Sequence, residues 1–222
     1  LGRADGENFV ASDINALLTV TRDYQVLENG DVADIRGTEC LIRDRAGEIA
    51  ERPVHTSTQS GDSAELGEYR HFMQKEIHEQ PRAVADTLEG RLLGDHVLEE
   101  SFGTRAGEIF DATRQVQIIA CGTSYHAGLV AQHWLEYVGI PCKVEVASEY
   151  RYRRHASREG TLVVTISQSG ETADTLAALE EAIRQKIAGS LVICNVPESS
   201  LVRESDLAFM THCGPEVGVA ST

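Results

Sequence analysis

Basic residues are scarce: 20 Lys and Arg stand against 35 Asp and Glu in 222 residues, a formal net charge of −15. This balance argues against binding nucleic acid through broad basic patches, because a polyphosphate backbone demands counter-charge. A small anion is not excluded, since local backbone dipoles can hold one inside an acidic protein. Long apolar runs are missing as well; none approaches the roughly twenty residues that a membrane span requires. The chain start carries no signal-peptide pattern. The five cysteines, Cys40, Cys121, Cys142, Cys194 and Cys213, form no CxxC pair, and no two histidines have metal-ligand spacing. These absences argue against a zinc site and predict free thiols in a reducing, cytoplasmic compartment.

What is present centres on Thr161-Leu-Val-Val-Thr-Ile-Ser-Gln-Ser-Gly-Glu-Thr-Ala-Asp-Thr175. Leu162 to Ile166 is a β-branched apolar run, short enough for a strand buried on both faces of a parallel sheet. It switches at once to Ser167-Gln168-Ser169-Gly170, polar residues around a glycine that can take φ > 0. Glu171 to Ile187 then spaces apolar residues at 176, 179, 183 and 187, one face of a helix. Strand, polar turn and helix in that order bring hydroxyls and free N–H groups to a positive helix end, where a phosphate can bind without a lysine. A helix cap alone needs one hydroxyl; Ser167, Ser169, Thr172 and the amide of Gln168 exceed that need. No Gly-Lys-Ser/Thr follows the glycine, so the turn is not a Walker loop.

The rest of the chain falls into two parts. In residues 1–61, Ser12 or Asp13 is placed to cap a short helix through Leu18. Asn29-Gly30 lies between two apolar-containing runs and predicts a hairpin. A second hairpin is expected around Asp44-Arg-Ala-Gly47. The polar stretch from His55 to Glu65 reads as a linker. From residue 62, Tyr69 to Glu79 predicts a short helix stopped before Pro81, and Val84 to Leu93 a second one. Strands are expected at Val116–Ala120, Cys142–Ala147, Leu162–Ile166, Ser190–Cys194 and Leu207–Thr211, with helices over Ser124–Val138 and Glu149–Arg154. This alternation predicts right-handed βαβ units and an α/β fold with a doubly wound parallel sheet flanked by helices. Ligands in such sheets sit outside the carboxyl ends of the strands, where Cys121-Gly-Thr-Ser124 and Ser167-Gln-Ser-Gly170 both fall. His126 reads as a surface or packing residue, Cys121 as a packed thiol, and Arg151-Tyr-Arg-Arg154 as a solvated or interface run.

Cys121-Gly-Thr-Ser-Tyr-His-Ala-Gly128, Ser148-Glu-Tyr-Arg-Tyr-Arg153, Ser167-Gln-Ser-Gly-Glu-Thr-Ala-Asp-Thr175 and Ile193-Cys-Asn-Val196 together resemble the first sugar isomerase (SIS) domain of the glutamine–fructose-6-phosphate aminotransferases. Ser199 to Asp206, Gly218 to Thr222 and Tyr69 to Pro81 extend the likeness, and Gly6 to Asp13 resembles the end region of that family's glutaminase domain. The resemblance implies two domains: residues 1–61 as the β-rich C-terminal part of an N-terminal-nucleophile glutaminase domain with its linker, and residues 62–222 as a first SIS domain truncated at its C-terminal end.

Carried over residue by residue, it implies phosphate contacts from Ser124, Ser167, Gln168, Ser169 and Thr172. Sugar contacts would come from Thr123 and Val219, and a glutamine contact from Asp13. The implied parent converts fructose 6-phosphate and glutamine to glucosamine 6-phosphate and glutamate as a homodimer, without cofactor or metal. The family's N-terminal cysteine and second SIS domain have no counterpart here, so no catalytic residue is expected in this section, and both chain ends are expected to fall inside structural elements. A non-catalytic SIS module that senses a phosphosugar is the alternative, and residues 1–61 discriminate, because a regulator would carry an effector domain there.

Overall fold

The structure is a computed structural model that describes the chain except residues 12–13, 58–65, 157–158, 186, 219–220 and 222. It divides into two compact units, Leu1–Glu65 and Leu66–Thr222.

The first unit is mostly β. Its elements begin with strands β1 (Gly2–Ala4) and β2 (Glu7–Phe9), the one-turn helix α1 (Ile14–Leu17) and strand β3 (Asp23–Gln25), with Leu17 of α1 close against Gly2 of β1. Strands β4 (Val32–Arg36) and β5 (Glu39–Arg43) pair antiparallel with each other, and β6 (Val54–Thr56) closes a four-stranded sheet of order β2-β1-β3-β6. The hairpin expected at Asn29-Gly30 does not form: β3 pairs with β1 and β6, and β4 with β5. Gly30 does take φ 96°, but its turn is closed on Asp31. The Asp31 carboxylate accepts the Glu28 N–H at 2.9 Å and two bonds from Arg52 at 2.8 and 2.9 Å. The turn is thus held by side-chain bonds to Asp31 rather than by a ladder between the flanking strands. The turn at Asp44–Gly47 does return β5 to an antiparallel bridge between Arg43 and Ile49, with Asp44 Oδ1 holding the N–H groups of Ala46 and Glu48.

The second unit opens with helix α2 (Phe72–Leu88), which runs through Pro81 without a break. A proline in a helix interior removes one i→i−4 bond. Here the carbonyl left without that donor belongs to Ile77, on a residue 48% exposed, and the expected stop and restart merge into one helix. A two-residue hairpin follows, β7 (Leu92–Leu93) and β8 (His96–Val97), then a 3₁₀ turn (Glu99–Phe102) and α3 (Ala106–Ala112).

Five parallel strands carry the rest: β9 (Gln115–Ala120), β10 (Cys142–Val146), β11 (Thr161–Ser167), β12 (Gly189–Cys194) and β13 (Leu207–Met210). They are joined by α4 (Gly122–Tyr137), α5 (Ala147–Tyr150), α6 (Ala173–Ile183) and α7 (Ser200–Glu204). The α5 helix ends at Tyr150 rather than Arg154, and α6 at Ile183 rather than Ile187.

Sheet order is β10-β9-β11-β12-β13, the 2-1-3-4-5 arrangement whose topological switch lies between the first and third strands. Alternate residues feed the two faces: Ile119, Val163 and Val192 enter one core with Leu179 and Leu201, while Ile118, Leu162, Val164 and Leu191 enter the other with Ile109. Gly128 lets α4 lie close on the second face, since a Cβ there would stand 3.0 Å from Ile118 Cγ2 and 3.1 Å from Val144 Cγ1.

Candidate functional site

The switch point is where the two hydroxyl-bearing loops meet. β9 and β11 are hydrogen-bonded neighbours, with Ala120 opposite Ile166, so Cys121–Ser124 and Ser167–Gly170 leave the sheet side by side. Together they form a cavity of about 560 Å³, lined by Thr123, Ser124, Ser167, Gln168, Ser169 and Thr172. The six residues expected from these loops thus share one wall system. Val219 and Asp13 lie outside the described residues.

Local chemistry explains the loop's shape. Gly170 takes φ 68°, and a Cβ on it would meet Ser199 Oγ at 2.0 Å and Cys194 Sγ at 2.8 Å; only glycine fits both the dihedral and the space. Ser167 Oγ accepts the Gly170 N–H at 3.0 Å, and Ser169 Oγ accepts the Glu171 N–H at 3.2 Å. Each hydroxyl therefore stabilises the turn as an acceptor while keeping its own proton to donate. Ser167 and Thr172 hydroxyls stand 3.3 Å apart. Behind the loop, the Gln168 carbonyl accepts the Asn195 N–H at 3.1 Å, and the Gly170 carbonyl accepts the Leu201 N–H at 3.0 Å.

Two helices begin at this cavity. Neither the Cys121 cap of α4 nor the Thr172 cap of α6 makes a side-chain capping bond, so first-turn N–H groups at both starts are available to an anion. Gly122 turns the chain into α4 at φ 57° with open space around it. No lysine or arginine is among the described lining residues; an anion there would be held by hydroxyls, N–H groups and helix ends. The nearby arginines are engaged by acids: Arg151 Nη1 binds Asp174 Oδ1 at 2.7 Å, and Arg153 pairs with Glu145. The run from Arg151 to Arg154 is therefore in part an ion-paired surface rather than only a solvated one. Asp174 and the hydrogen bond it accepts raise the Arg151 pKa further.

Glu171, which follows the loop directly, does not line the cavity; its Oε1 accepts the Ser200 N–H at 2.7 Å at the start of α7. The carboxylate thus points away from the loop and serves a neighbouring helix instead of its own. His126 is exposed and packs edge-on to Tyr125.

Sequence reasoning missed Glu216, Gly218 and Ser221, which also line the cavity. They sit in a coil after β13, where periodicity carries no signal. An apolar cleft of about 490 Å³ adjoins the cavity, between α2 residues such as Val84 and Leu88 and the strand ends at Ile166 and Ile193. Among the described residues no group of three or more His, Cys, Asp and Glu is arranged to hold a metal, and no helix is long and apolar enough to cross a membrane.

The SIS domain family model matches residues 108–222. Across the whole chain, the isomerizing glutamine–fructose-6-phosphate aminotransferases of Aliivibrio fischeri and Idiomarina loihiensis are 53% and 57% identical, and that of Pseudomonas putida is 56% identical. The chain spans 36–37% of the length of these curated relatives. The solved C-terminal domain of glucosamine-fructose-6-phosphate aminotransferase from Francisella tularensis superposes with a TM-score of 0.69 at 54% identity, covering 72% of this chain and 45% of that one. Glucosamine-6-phosphate deaminase from Thermotoga maritima shares the fold, at 21% identity and a TM-score of 0.52 over 68% of this chain and 43% of that one. The chain belongs to the SIS domain family, and along its entire length it is a homologue of the isomerizing glutamine–fructose-6-phosphate aminotransferases.

Proposed function

We propose that this chain is the section of an isomerizing glutamine–fructose-6-phosphate aminotransferase that binds the sugar phosphate, in the route to amino sugars. The observation that carries the reading is the meeting of two hydroxyl loops and two helix starts at the sheet's switch point, in one cavity whose described lining holds no lysine or arginine. Ser124, Ser167, Ser169 and Thr172 donate hydroxyl protons to the phosphate of fructose 6-phosphate or glucosamine 6-phosphate. First-turn N–H groups of α4 and α6 add to them, and Gln168 supplies an amide. A hydrogen bond to a charged acceptor contributes about 1.5–3 kcal/mol, and a helix end about 0.3–1 kcal/mol toward an anion. Several together hold a dianion without a basic side chain. Thr123 and Val219 face the sugar in this reading, and Asp13 the glutamine.

Residues 1–61 are then the end of the glutaminase domain with its linker, and residues 62–222 the first SIS domain. This section holds substrate; the chemistry of ammonia release and isomerisation belongs to other parts of the enzyme. Identity to the aminotransferases extends through residues 1–65, which favours the enzyme over a phosphosugar-sensing regulator. Formation of glucosamine 6-phosphate from glutamine and fructose 6-phosphate by the gene product that carries this chain tests the assignment; no product, where a known synthase gives it, would sink it.

The enzyme acts as a homodimer in the cytoplasm. Trp134 and Tyr137 on α4 and Val138 just past its end stand 70%, 91% and 66% exposed, a stripe that favours association. Light scattering of a clean monomer at high concentration would contradict the dimer.

A further inference from the structure

The coil after β13 is tied along its length to α2. Arg91, just past α2, donates to the Met210 carbonyl at 2.5 Å, and the buried Thr87 hydroxyl accepts the His212 N–H at 2.9 Å. Farther up the helix, one oxygen of Glu76 accepts two consecutive backbone N–H groups, from Val217 at 2.7 Å and from Gly218 at 3.0 Å. The middle of the coil is fixed from the sheet side: Asn195 Oδ1 accepts the Cys213 N–H at 2.9 Å, and its Nδ2 donates to the Gly214 carbonyl at 2.7 Å. The backbone N–H of the same Asn195 bonds the carbonyl of Gln168 in the hydroxyl loop. Residues 210–218 thus form a strap splinted by α2 and anchored to the loop it faces. Glu216 and Gly218 of this strap, with Ser221 beyond it, make a wall of the cavity.

We propose that Glu76 is a positioning residue for the sugar-phosphate cavity, acting by clamping the Val217 and Gly218 amides so that the strap closes one wall. The inference rests on the proposed sugar-phosphate site and adds to it a residue that does not itself line that cavity. Two adjacent amides converging on one oxygen are best served by a strong acceptor, which a carboxylate supplies and a methyl group does not. The side chain is half-buried against the adjoining apolar cleft, and of the two bonds it accepts the one from Gly218 is the more sheltered from water. With the clamp removed, the strap must be ordered by the ligand, and the ordering cost appears as weaker binding. Glu76→Gln keeps an oxygen in place and so retains most of the function; Glu76→Ala does not.

The test uses the whole chain, with fructose 6-phosphate titrated by calorimetry and amide hydrogen exchange followed at Val217 and Gly218 without ligand. Glu76→Ala is expected to expose both amides and weaken binding about tenfold (about 1.4 kcal/mol), with the thermal midpoint close to wild type and Glu76→Gln within about threefold of wild-type affinity. Loss of amide protection with unchanged affinity would overturn the inference and leave the site standing, as would a loss of affinity that Glu76→Gln fails to restore. Wild-type protein that does not bind fructose 6-phosphate would overturn the site and the inference together, while the exchange data alone would still report whether the clamp exists.

Discussion

Glu171 Oε1 accepts the backbone N–H of Ser200 at 2.7 Å, so the acid next to the candidate phosphate loop is spent on the first turn of α7. That contact resolves an apparent conflict, since a carboxylate facing the cavity would repel a phosphate. Glu171→Ala should cost about 1–2 kcal/mol of stability, the magnitude of a lost helix cap, read by urea unfolding. Because the carboxylate faces away, the affinity for fructose 6-phosphate should change by no more than about twofold. A large gain in affinity would show that it does repel the ligand.

Gly170 and Gly122 both have positive φ, yet they should respond differently to alanine. At Gly122 the surroundings are open, and the cost is conformational only, about 1–2 kcal/mol. At Gly170 the new Cβ also collides with Ser199 and Cys194, whose backbones are fixed by α7 and β12. Overpacking adds roughly 1–3 kcal/mol or more. Denaturant melts of the two variants, made in parallel, should rank Gly170→Ala clearly below Gly122→Ala; equal stabilities would contradict the packing described.

Cys142, at the start of the edge strand β10, has its thiol pKa pushed up to about 11 by burial, with the Glu136 charge adding to it. The folded protein therefore holds this proton above the unfolded value of 9.0. Between roughly pH 9 and 11 the unfolded chain binds fewer protons than the folded one, so stability falls as pH rises through that window and is unaffected below it. Cys142→Ala should flatten this alkaline loss. At neutral pH the exposed Cys213 should react with thiol reagents well before Cys142, as mass spectrometry of a timed alkylation would reveal.

Ser169 carries both readings of the loop in one side chain, as acceptor for the Glu171 N–H and as donor to a phosphate. Ser169→Ala should weaken fructose 6-phosphate binding roughly tenfold, the worth of one hydrogen bond to a charged group. The loss of a single turn bond should lower stability by only about 1 kcal/mol. A variant that melts lower but binds as tightly as wild type would reduce Ser169 to a turn residue.

Much of the second unit was legible because its signals are local. The strands at Ile118, Val163 and Val192 are short β-branched runs buried on both faces, and the turn at Gly170 announces itself by an abrupt change from apolar to small polar residues. That Ser124 and Ser167 both lie at strand carboxyl ends followed from the rule for ligands in such sheets, while their side-by-side placement comes from the pairing of β9 with β11. Misreadings arose where distant partners decide. Asn29-Gly30 has the dipeptide of a hairpin, but the strands on either side of it find their partners elsewhere in the chain, and Asp31 beside it bonds Arg52, more than twenty residues on. Pro81 reads as a stop, but the helix runs through it on a largely exposed stretch, at the loss of one backbone bond. Glu76 carries no local mark at all, because its two amide partners lie about 140 residues away.

The central claim is that the switch-point cavity binds the phosphate of a hexose 6-phosphate, and calorimetry of this chain with fructose 6-phosphate and with fructose tests it most directly. Two or more hydrogen bonds to the dianion, at about 1.5–3 kcal/mol each, predict that fructose binds at least about a hundredfold more weakly than its 6-phosphate. Equal affinity for the two sugars would contradict the account, leaving Ser167, Ser169 and Thr172 as the caps of a helix and nothing more.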